Sequence, residues 1–401
     1  MNETQPSVGA PGYSDLVERA KASKTLILAE ASKAEEVRHM TDLCYAKLHK
    51  DGFFHMMTPQ ILGGSELSWS DGLAVAESLA QIDGSTGWCL MVAGVIHGSC
   101  GSLLVEEGKD KIFSPGTAIN IAGQGIPRGT ASRVDDGYLI KGEWSYGSGI
   151  YHSNWIHSGC AVLENGKPVL DADGKPEVII VYTPRESIEL LDNWNVLGLR
   201  GTGSFDYRIL DEVFVPKETT YRYNKTDVER GGFHFSLGIV GFTAWGHTAF
   251  ALGTGRNALD QLRIIASEKV GPFGVLGDSE SFQEKYARAE AKYRATRALV
   301  YKVWNDIDET MLKGRPPTNE EIALIKLSFH YTHEVMSEIC TFSYNYGGGI
   351  ALRPSPLQRC YRDMHAAIQH VLLSDQIMQD CGKVLLGRSP TGIKMQLLGF
   401  H

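Results

Sequence analysis

The spacing of apolar residues along the chain changes twice. In the first hundred residues they recur at helical intervals, as at Leu16, Ala20 and Ile27. Between about residues 112 and 224 the period falls to two, and β-branched runs such as 178–182 are separated by turns rich in Asp, Asn and Gly. Helical spacing returns after about residue 231. The order predicted is therefore helices, then strands, then helices.

This order predicts an α+β protein with three domains. We place an N-terminal helical domain at 1–111, a central β-barrel or sandwich at 112–230, and a C-terminal helical bundle at 231–401. A stretch without charged residues at 236–255 contains five glycines and a histidine. We interpret it as a buried bundle helix, because a membrane span would be richer in Leu, Ile and Val. The last helix is predicted to run from Arg362 to Leu386.

Composition narrows the function classes. The 401 residues are 43% hydrophobic and 21% charged, which is ordinary for a soluble globular protein. The net charge of −8 argues against a nucleic-acid partner. The seven scattered cysteines contain no CxxC, so we expect reduced thiols and no metal site. The N-terminal residues lack a signal-peptide pattern, so we expect a cytoplasmic protein without a membrane partner.

Common catalytic motifs are missing from the sequence. There is no phosphate-binding GxxxxGK[ST], no GxGxxG between a strand and a helix, and no GxSxG. His97 and His370 each lie in an apolar stretch predicted to be helical. From the residues alone, both remain open between a hydrogen-bonded core histidine and a functional one. The triple glycine 347–349 is either a loop that a ligand approaches closely or a plain connector.

Several segments together resemble the acyl-CoA dehydrogenase fold. The stretch 194–204 followed by Val213–Pro216, the Phe273 region followed by Gln283, and the glycines 347–349 followed by Arg362 and Asp363 occur in that family's order. The resemblance covers nearly the whole chain and implies a C-terminal four-helix bundle. The segment 142–149 is similar to the G-x-W-x-x-x-S-G signature of flavin-dependent monooxygenases with this fold. Gln369 and His370 stand where many of the dehydrogenases have a glutamate base.

The resemblance implies an oxygenase component of a two-component system. Such a protein receives reduced flavin (FADH2 or FMNH2) from a separate reductase and reacts it with dioxygen. It then hydroxylates a small aromatic substrate, such as a phenol or indole, through a C4a-hydroperoxyflavin. The fold also implies a homotetramer, in which the Phe273 region meets the flavin of a neighbouring subunit.

The resemblance also implies roles for individual residues. Ser148 is expected near flavin N5, His370 near C4a, and His97 at the substrate. Trp144 is expected at the edge of the isoalloxazine. The other expected cofactor contacts are Lys269, Phe273, Gln283, Gly347, Gly348 and Gly349. Either Lys269 replaces a family arginine at the flavin phosphate, or Pro272 shifts this loop. The other expected substrate contacts are apolar: Phe53, Ile96, Trp245 and Phe250.

Three other functions stay open at this point. An acyl-CoA dehydrogenase would hold oxidised FAD tightly and be bleached by an acyl-CoA. A monooxygenase of the same fold could oxygenate nitrogen or sulfur instead of carbon. A non-catalytic flavin-binding scaffold would show no turnover with any reductant.

Overall fold

A computed structural model describes residues 10–114, 118–171, 174–271 and 274–389. Its N-terminal part is helical, as predicted. Several of these helices begin at side-chain caps. Thr41 accepts the N–H of Cys44, and Ser68 accepts that of Asp71. The helices are α1 (Tyr13–Val37), α2 (Asp42–Lys50), α3 (Trp69–Ile82), α4 (Gly84–Leu103) and α5 (Glu106–Ile112).

The central part forms strands, also as predicted. They are β1 (Ile121–Val134), β2 (Gly137–Gly147), β3 (Trp155–Glu164), β4 (Lys167–Pro168), β5 (Val178–Pro184), β6 (Glu189–Leu190), β7 (Phe205–Pro216) and β8 (Thr220–Arg222). Within the described residues these strands make one sheet in the order β6-β7-β2-β1-β3-β5-β8, with β4 paired to β3. The β1–β3 pair is parallel and the other pairs are antiparallel. The sheet has its own apolar core, which includes Ile156 and Tyr207.

The C-terminal part is a helical bundle built around α6. Its elements are α6 (Gly238–Glu268), a small hairpin of β9 (Val270–Gly271) and β10 (Gly274–Val275), then α7 (Glu280–Leu312), α8 (Asn319–Gly347), α9 (Gly349–Leu352), α10 (Pro356–Ala367) and α11 (Asp375–Leu385). The region Phe233–Glu268 is apolar and long enough to cross a membrane, but 83% of its most apolar window is buried in the fold. This burial agrees with the prediction of a core helix.

One apolar core joins the N-terminal helices to the bundle. Leu73 and Trp88 of the N-terminal helices belong to the same buried cluster as Phe250 and Met336 of the bundle. The predicted domain boundaries lie at the last turn of α5 and in the connection between β8 and α6. The division into three domains remains a proposal. The two helical parts share one apolar core, and the sheet has a separate core.

The predicted final helix is wrong in its middle. The helix ends at Ala367, the chain turns, and a new helix begins at Asp375. In the turn, the N–H of His370 bonds to the carbonyl of Ala367 (3.0 Å) and the N–H of Leu373 bonds to that of His370 (2.9 Å). The apolar run after His370 satisfied the helical pattern, although Val371 is half exposed and only Leu372 is buried. His370 therefore lies on a connection between two helices.

Candidate active site

Ser148 lies immediately after β2, where the sheet meets the N-terminal helices. Its hydroxyl is buried and has two side-chain partners. The indole N–H of Trp88, in α4, donates to Ser148 Oγ at 3.0 Å. Ser204 Oγ, just before β7, lies 2.7 Å from the same atom. Two strands and one helix thus position this hydroxyl.

The hydrogen bonds continue beyond Ser204. Ser204 Oγ lies 2.6 Å from Thr202 Oγ1, and Thr202 donates its hydroxyl to the carbonyl of Leu199 at 2.8 Å. Thr202 and Ser204 are both buried. A continuous hydroxyl chain therefore runs from Ser148 to a backbone carbonyl.

The loop that carries this chain is held against the bundle. Leu199 adopts a left-handed backbone conformation (φ 55°), which is strained for a residue with a branched side chain. Its N–H donates to Asp363 Oδ1, in α10, at 2.6 Å. A Cβ at Gly198 would lie 2.0 Å from the carbonyl oxygen of Arg362, so only glycine allows this approach. The contact with α10 fixes the position of Thr202 and Ser204.

Two aromatic rings, those of Trp88 and His247, connect Ser148 to His370. The ring of His247, in α6, lies edge-on to Trp88 with centroids 5.0 Å apart. The ring of His370 lies 4.8 Å from His247 and 6.0 Å from Trp88. Phe250 also packs edge-on against Trp88, at 5.0 Å. The predicted catalytic residues Ser148 and His370 are therefore brought to one place, at the junction of sheet, N-terminal helices and bundle.

Burial keeps the histidines of this cluster neutral. It lowers the pKa of His247 to about 4 and that of the neighbouring His333 to about 3. Burial, with His247 and His333 nearby, holds the pKa of His370 well below its usual value. His247 and His333 each donate Nδ1–H to a backbone carbonyl, and neither Nε2 has a hydrogen-bond partner among the described residues. His370 Nδ1 accepts the N–H of Leu372 at 3.3 Å, so the neutral ring carries its proton on Nε2.

His97 is held on both sides by the backbone. Its Nδ1–H donates to the carbonyl of Ala93 at 2.8 Å, and its Nε2 accepts the N–H of Ile121 at 3.0 Å. The ring is completely buried, and burial holds its pKa well below the usual value. To contact a substrate, His97 would have to give up one of these bonds. In this arrangement it links α4 to the start of β1.

The predicted apolar substrate contacts lie in two separate clusters. Phe53, Trp245 and Phe250 belong to the core shared by the N-terminal helices and the bundle. Ile96 belongs to a different cluster, under the edge of the sheet. Of the four, Phe250 contacts the cluster around Ser148, through Trp88. The substrate roles of these residues remain predictions.

Trp144 requires a correction, because the sheet covers it completely. Its ring stacks on Tyr207 (centroids 5.3 Å apart, 13° between planes), and its indole N–H donates to the carbonyl of Gly159 at 2.8 Å. Glycines at 129 and 142 leave the space that its ring fills. Trp144 is a core residue of the sheet in this structure, and the tryptophan that contacts Ser148 is Trp88.

The other predicted cofactor contacts gather at the other end of α6. Lys269 Nζ donates to the carbonyls of Tyr346 (2.7 Å) and Gly347 (3.4 Å). Gly348 has a positive φ of 56°, which allows α8 to end and α9 to begin within one residue. Gln283 donates to the carbonyl of Gly277, in the connection between β10 and α7. Phe273 lies outside the described residues.

These two clusters are far apart within one chain. His247 and Lys269 are separated by 22 residues of α6 and its cap, or about 33 Å at 1.5 Å per residue. One isoalloxazine ring cannot contact both.

Sequence reasoning missed part of the first cluster. No sequence pattern predicts a site role for His247, Trp88, Thr202 or Ser204. Trp88 and Ser204 bond to Ser148 from 60 and 56 residues away in sequence, so no local spacing indicates these two contacts. The sequence offered one signal, which was composition. Trp88 is a large aromatic residue with a polar N–H, and the residues before it at the start of the helix are small.

Comparison with known proteins places the chain in a family. The N-terminal domain of acyl-CoA dehydrogenase matches residues 18–112, and the C-terminal domain matches residues 245–375. The oxygenase subunit HsaA of a flavin-dependent monooxygenase from Rhodococcus jostii is 30% identical over 372 residues, covering 88% of this chain and 93% of that protein. The chain belongs to the flavin-dependent monooxygenases with the acyl-CoA dehydrogenase fold. It is an oxidoreductase whose co-substrates are reduced flavin and dioxygen.

Other relatives agree with this assignment. Indole-3-acetate monooxygenase from Acinetobacter baumannii is 26% identical over 351 residues, covering 86% of this monooxygenase and 87% of that enzyme. The crystal structure of the HsaA monooxygenase from M. tuberculosis superposes with a TM-score of 0.87 at 23% identity, covering 96% of this chain and 100% of that one. This structural likeness confirms the predicted fold.

The residues around Ser148 suit a flavin. After its two bonds, Ser148 Oγ retains one unused hydrogen-bonding position, and His247 and His333 offer ring nitrogens without partners among the described residues. Unpartnered buried polar atoms of this kind are rare unless a ligand or water satisfies them. Phe250 and Trp88 supply an apolar wall beside them. The cluster thus combines flat apolar surfaces with a few polar atoms, as flavin sites require.

Proposed function

We propose that this monooxygenase is the oxygenase component of a two-component system that hydroxylates a small aromatic compound. A separate reductase supplies its reduced flavin. The names of the relatives support this proposal, since one is an oxygenase subunit and another acts on indole-3-acetate. The observation that carries it is the contact series from Ser148 through Trp88 and His247 to His370.

Reduced flavin, when bound, would supply the two electrons that activate dioxygen, so that one oxygen atom of dioxygen is transferred to the substrate and the other leaves as water. The residues of the protein bind the flavin and donate a hydrogen bond at its reacting side. We assign Ser148 to bind the flavin ring edge and His370 to present a neutral Nε2–H to the reacting side. Because the ring of His370 has its proton on Nε2, it donates a hydrogen bond without carrying charge.

The apolar neighbours exclude water from this place. Trp88 and Phe329 pack against His247, Phe250 packs against Trp88, and all three side chains are buried. A site that excludes water prevents the hydrolysis of reactive intermediates and the loss of protons to solvent. Trp88 therefore has two roles, as a wall of the site and as a hydrogen-bond donor to Ser148.

We also propose the predicted homotetramer. The Lys269 cluster is about 33 Å from His247 along α6, so its flavin contacts serve a neighbouring subunit. Apolar side chains at this end of the bundle are exposed in the single chain. Val270 is 74% exposed and Leu352 is 70% exposed. A partner subunit that covered them would bury this surface and bring the two halves of the flavin site together.

We also propose that the protein is cytoplasmic.

One experiment separates the candidate functions. Purified protein is mixed anaerobically with reduced FAD or FMN, then with oxygenated buffer and a panel of phenols and indoles. We expect a hydroxylated aromatic product with one of the flavins. Bleaching of oxidised flavin by an acyl-CoA thioester, without oxygenation, would instead indicate a dehydrogenase. A sulfoxide or N-oxide from a thiophene or amine would indicate the other oxygenation chemistry.

A further inference from the structure

The hydroxyl chain that ends at Ser148 has a fixed direction. It contains three short oxygen–oxygen contacts: Ser148 to Ser204 (2.7 Å), Ser204 to Thr202 (2.6 Å) and Thr202 to the Leu199 carbonyl (2.8 Å). Oxygen atoms this close require a hydrogen between them, because two lone pairs would repel. The Leu199 carbonyl has no hydrogen to give. The three hydroxyl hydrogens must therefore fill the three contacts, one each.

The count assigns every hydrogen. Thr202 donates to the carbonyl, Ser204 donates to Thr202, and Ser148 donates to Ser204. The indole of Trp88 can only donate, and it occupies one lone pair of Ser148. What Ser148 still offers is a single lone pair. Any group that binds to it must be a donor.

The two redox states of flavin differ at this point. Reduced flavin carries a hydrogen on N5 and donates there, whereas N5 of oxidised flavin is an acceptor. We infer that Trp88, Ser204 and Thr202 make Ser148 a selective acceptor, so that the protein binds reduced flavin in preference to the oxidised form. Ser204 and Thr202 are positioning residues that act through Ser148. The inference rests on the proposed function, which places Ser148 at N5.

Such selectivity matters for an enzyme that receives flavin from another protein. Oxidised flavin is the product of each turnover and competes for the same site. A hydroxyl that could rotate would bind both forms, since it would donate to N5 in one state and accept from N5–H in the other. The directed chain removes the first option. One hydrogen bond gained or lost changes an affinity by about tenfold.

The test is the ratio of dissociation constants for oxidised and reduced flavin. FAD and FMN are titrated into the whole enzyme, aerobically in the oxidised state and anaerobically after dithionite reduction. The variants are Ser204→Ala and Thr202→Val, each of which frees one hydrogen in the chain. We expect both to lower the ratio about tenfold, chiefly by tighter binding of oxidised flavin. A tenfold change in the ratio corresponds to about 30 mV in the potential of the bound flavin.

Two further variants exclude a general effect of losing a buried hydroxyl. Ser158→Ala removes a buried serine hydroxyl bonded to Tyr207 in the same sheet, and it should leave the ratio unchanged. Ser148→Ala should lower the ratio by the opposite route, through weaker binding of reduced flavin. Thermal unfolding of each variant identifies any that fail to fold.

The outcomes separate the inference from the proposed function. If wild-type protein prefers reduced flavin but Ser204→Ala and Thr202→Val keep its ratio within twofold, the directed chain does not control selectivity and the inference is overturned. If wild-type protein binds neither flavin in either state, the proposed function is overturned and the inference with it.

Discussion

The indole nitrogen of Trp88 and the hydroxyl oxygen of Ser148 lie 3.0 Å apart, although 60 residues separate them in sequence. This hydrogen bond joins the N-terminal helices to the end of strand β2. It also gives Ser148 a fixed orientation beside the cluster of His247 and His370. The proposed site therefore lies where the N-terminal helices, the sheet and the bundle meet, and no single element carries all of its residues.

The first prediction concerns Trp88. Trp88→Phe keeps an aromatic ring beside His247 and Phe250 but removes the N–H that bonds to Ser148. We expect the free energy of unfolding to fall by about 1 kcal/mol and the affinity for reduced flavin to fall several-fold. Chemical denaturation and anaerobic flavin titration measure the two effects.

The matched control for that variant is Trp144→Phe. It also removes a buried indole N–H, in this case the one bonded to the Gly159 carbonyl inside the sheet. We expect a comparable loss of stability and unchanged flavin affinity in the folded protein. A loss of flavin affinity in Trp144→Phe, with none in Trp88→Phe, would return Trp144 to the flavin edge.

The second prediction concerns the pH dependence of stability set by His333. Its pKa is about 3 in the folded protein because it is buried, against 6.5 for an exposed imidazole. Below pH 6.5 the unfolded chain binds more protons than the folded one, so folding is progressively destabilised as the pH falls toward 3. His333→Phe should flatten the decline in melting temperature between pH 6.5 and 5. A decline as steep as in wild-type protein would show that His333 does not contribute.

The third prediction has the opposite sign and concerns Asp363. Burial, followed by the charge of Asp83, raises its pKa to about 7 from 3.8. Between these values the folded protein binds more protons than the unfolded chain, so stability from this group is lost as the pH rises from about 4 to 7. Asp363→Asn retains an acceptor for the Leu199 N–H. We expect it to be relatively more stable than wild-type protein at pH 8 than at pH 5, as measured by thermal unfolding at both values.

The fourth prediction concerns assembly. We expect light scattering to give about four times the 44.0 kDa chain mass. Val270→Asp puts a charge on the exposed apolar end of the bundle, so it should reduce the mass and weaken flavin binding together. Leu312→Asp is the control, because Leu312 is 88% exposed but lies at the far end of α7. If wild-type protein is a monomer and Val270→Asp binds flavin as tightly as wild-type protein does, the site is not shared between subunits.

The order of elements could be predicted from the sequence because it depends on local periodicity. The contacts of the site could not, since they join residues such as Ser148 and Ser204 that only the fold brings together. The motif around Trp144 predicted a contact with the flavin edge, whereas the sheet buries this residue. A tryptophan on a strand can face either side of the sheet, and glycines at 129 and 142 make room for it in the core. The role of His370 in the site stays a prediction, and its place in a turn was not predicted because the apolar residues that follow it fit a helical pattern.

The most direct test of the central claim is a single turnover with His370→Ala. Enzyme and reduced flavin are mixed with oxygen and the aromatic substrate found in the panel, and hydroxylated product and hydrogen peroxide are measured per flavin. Because the pKa of His370 lies well below its usual value, the wild-type product yield should be constant from pH 6.5 to higher pH. We predict that His370→Ala still binds reduced flavin but releases hydrogen peroxide in place of most of the product. A product yield equal to that of wild-type enzyme would contradict the assignment of the active site to the cluster of Ser148, Trp88, His247 and His370.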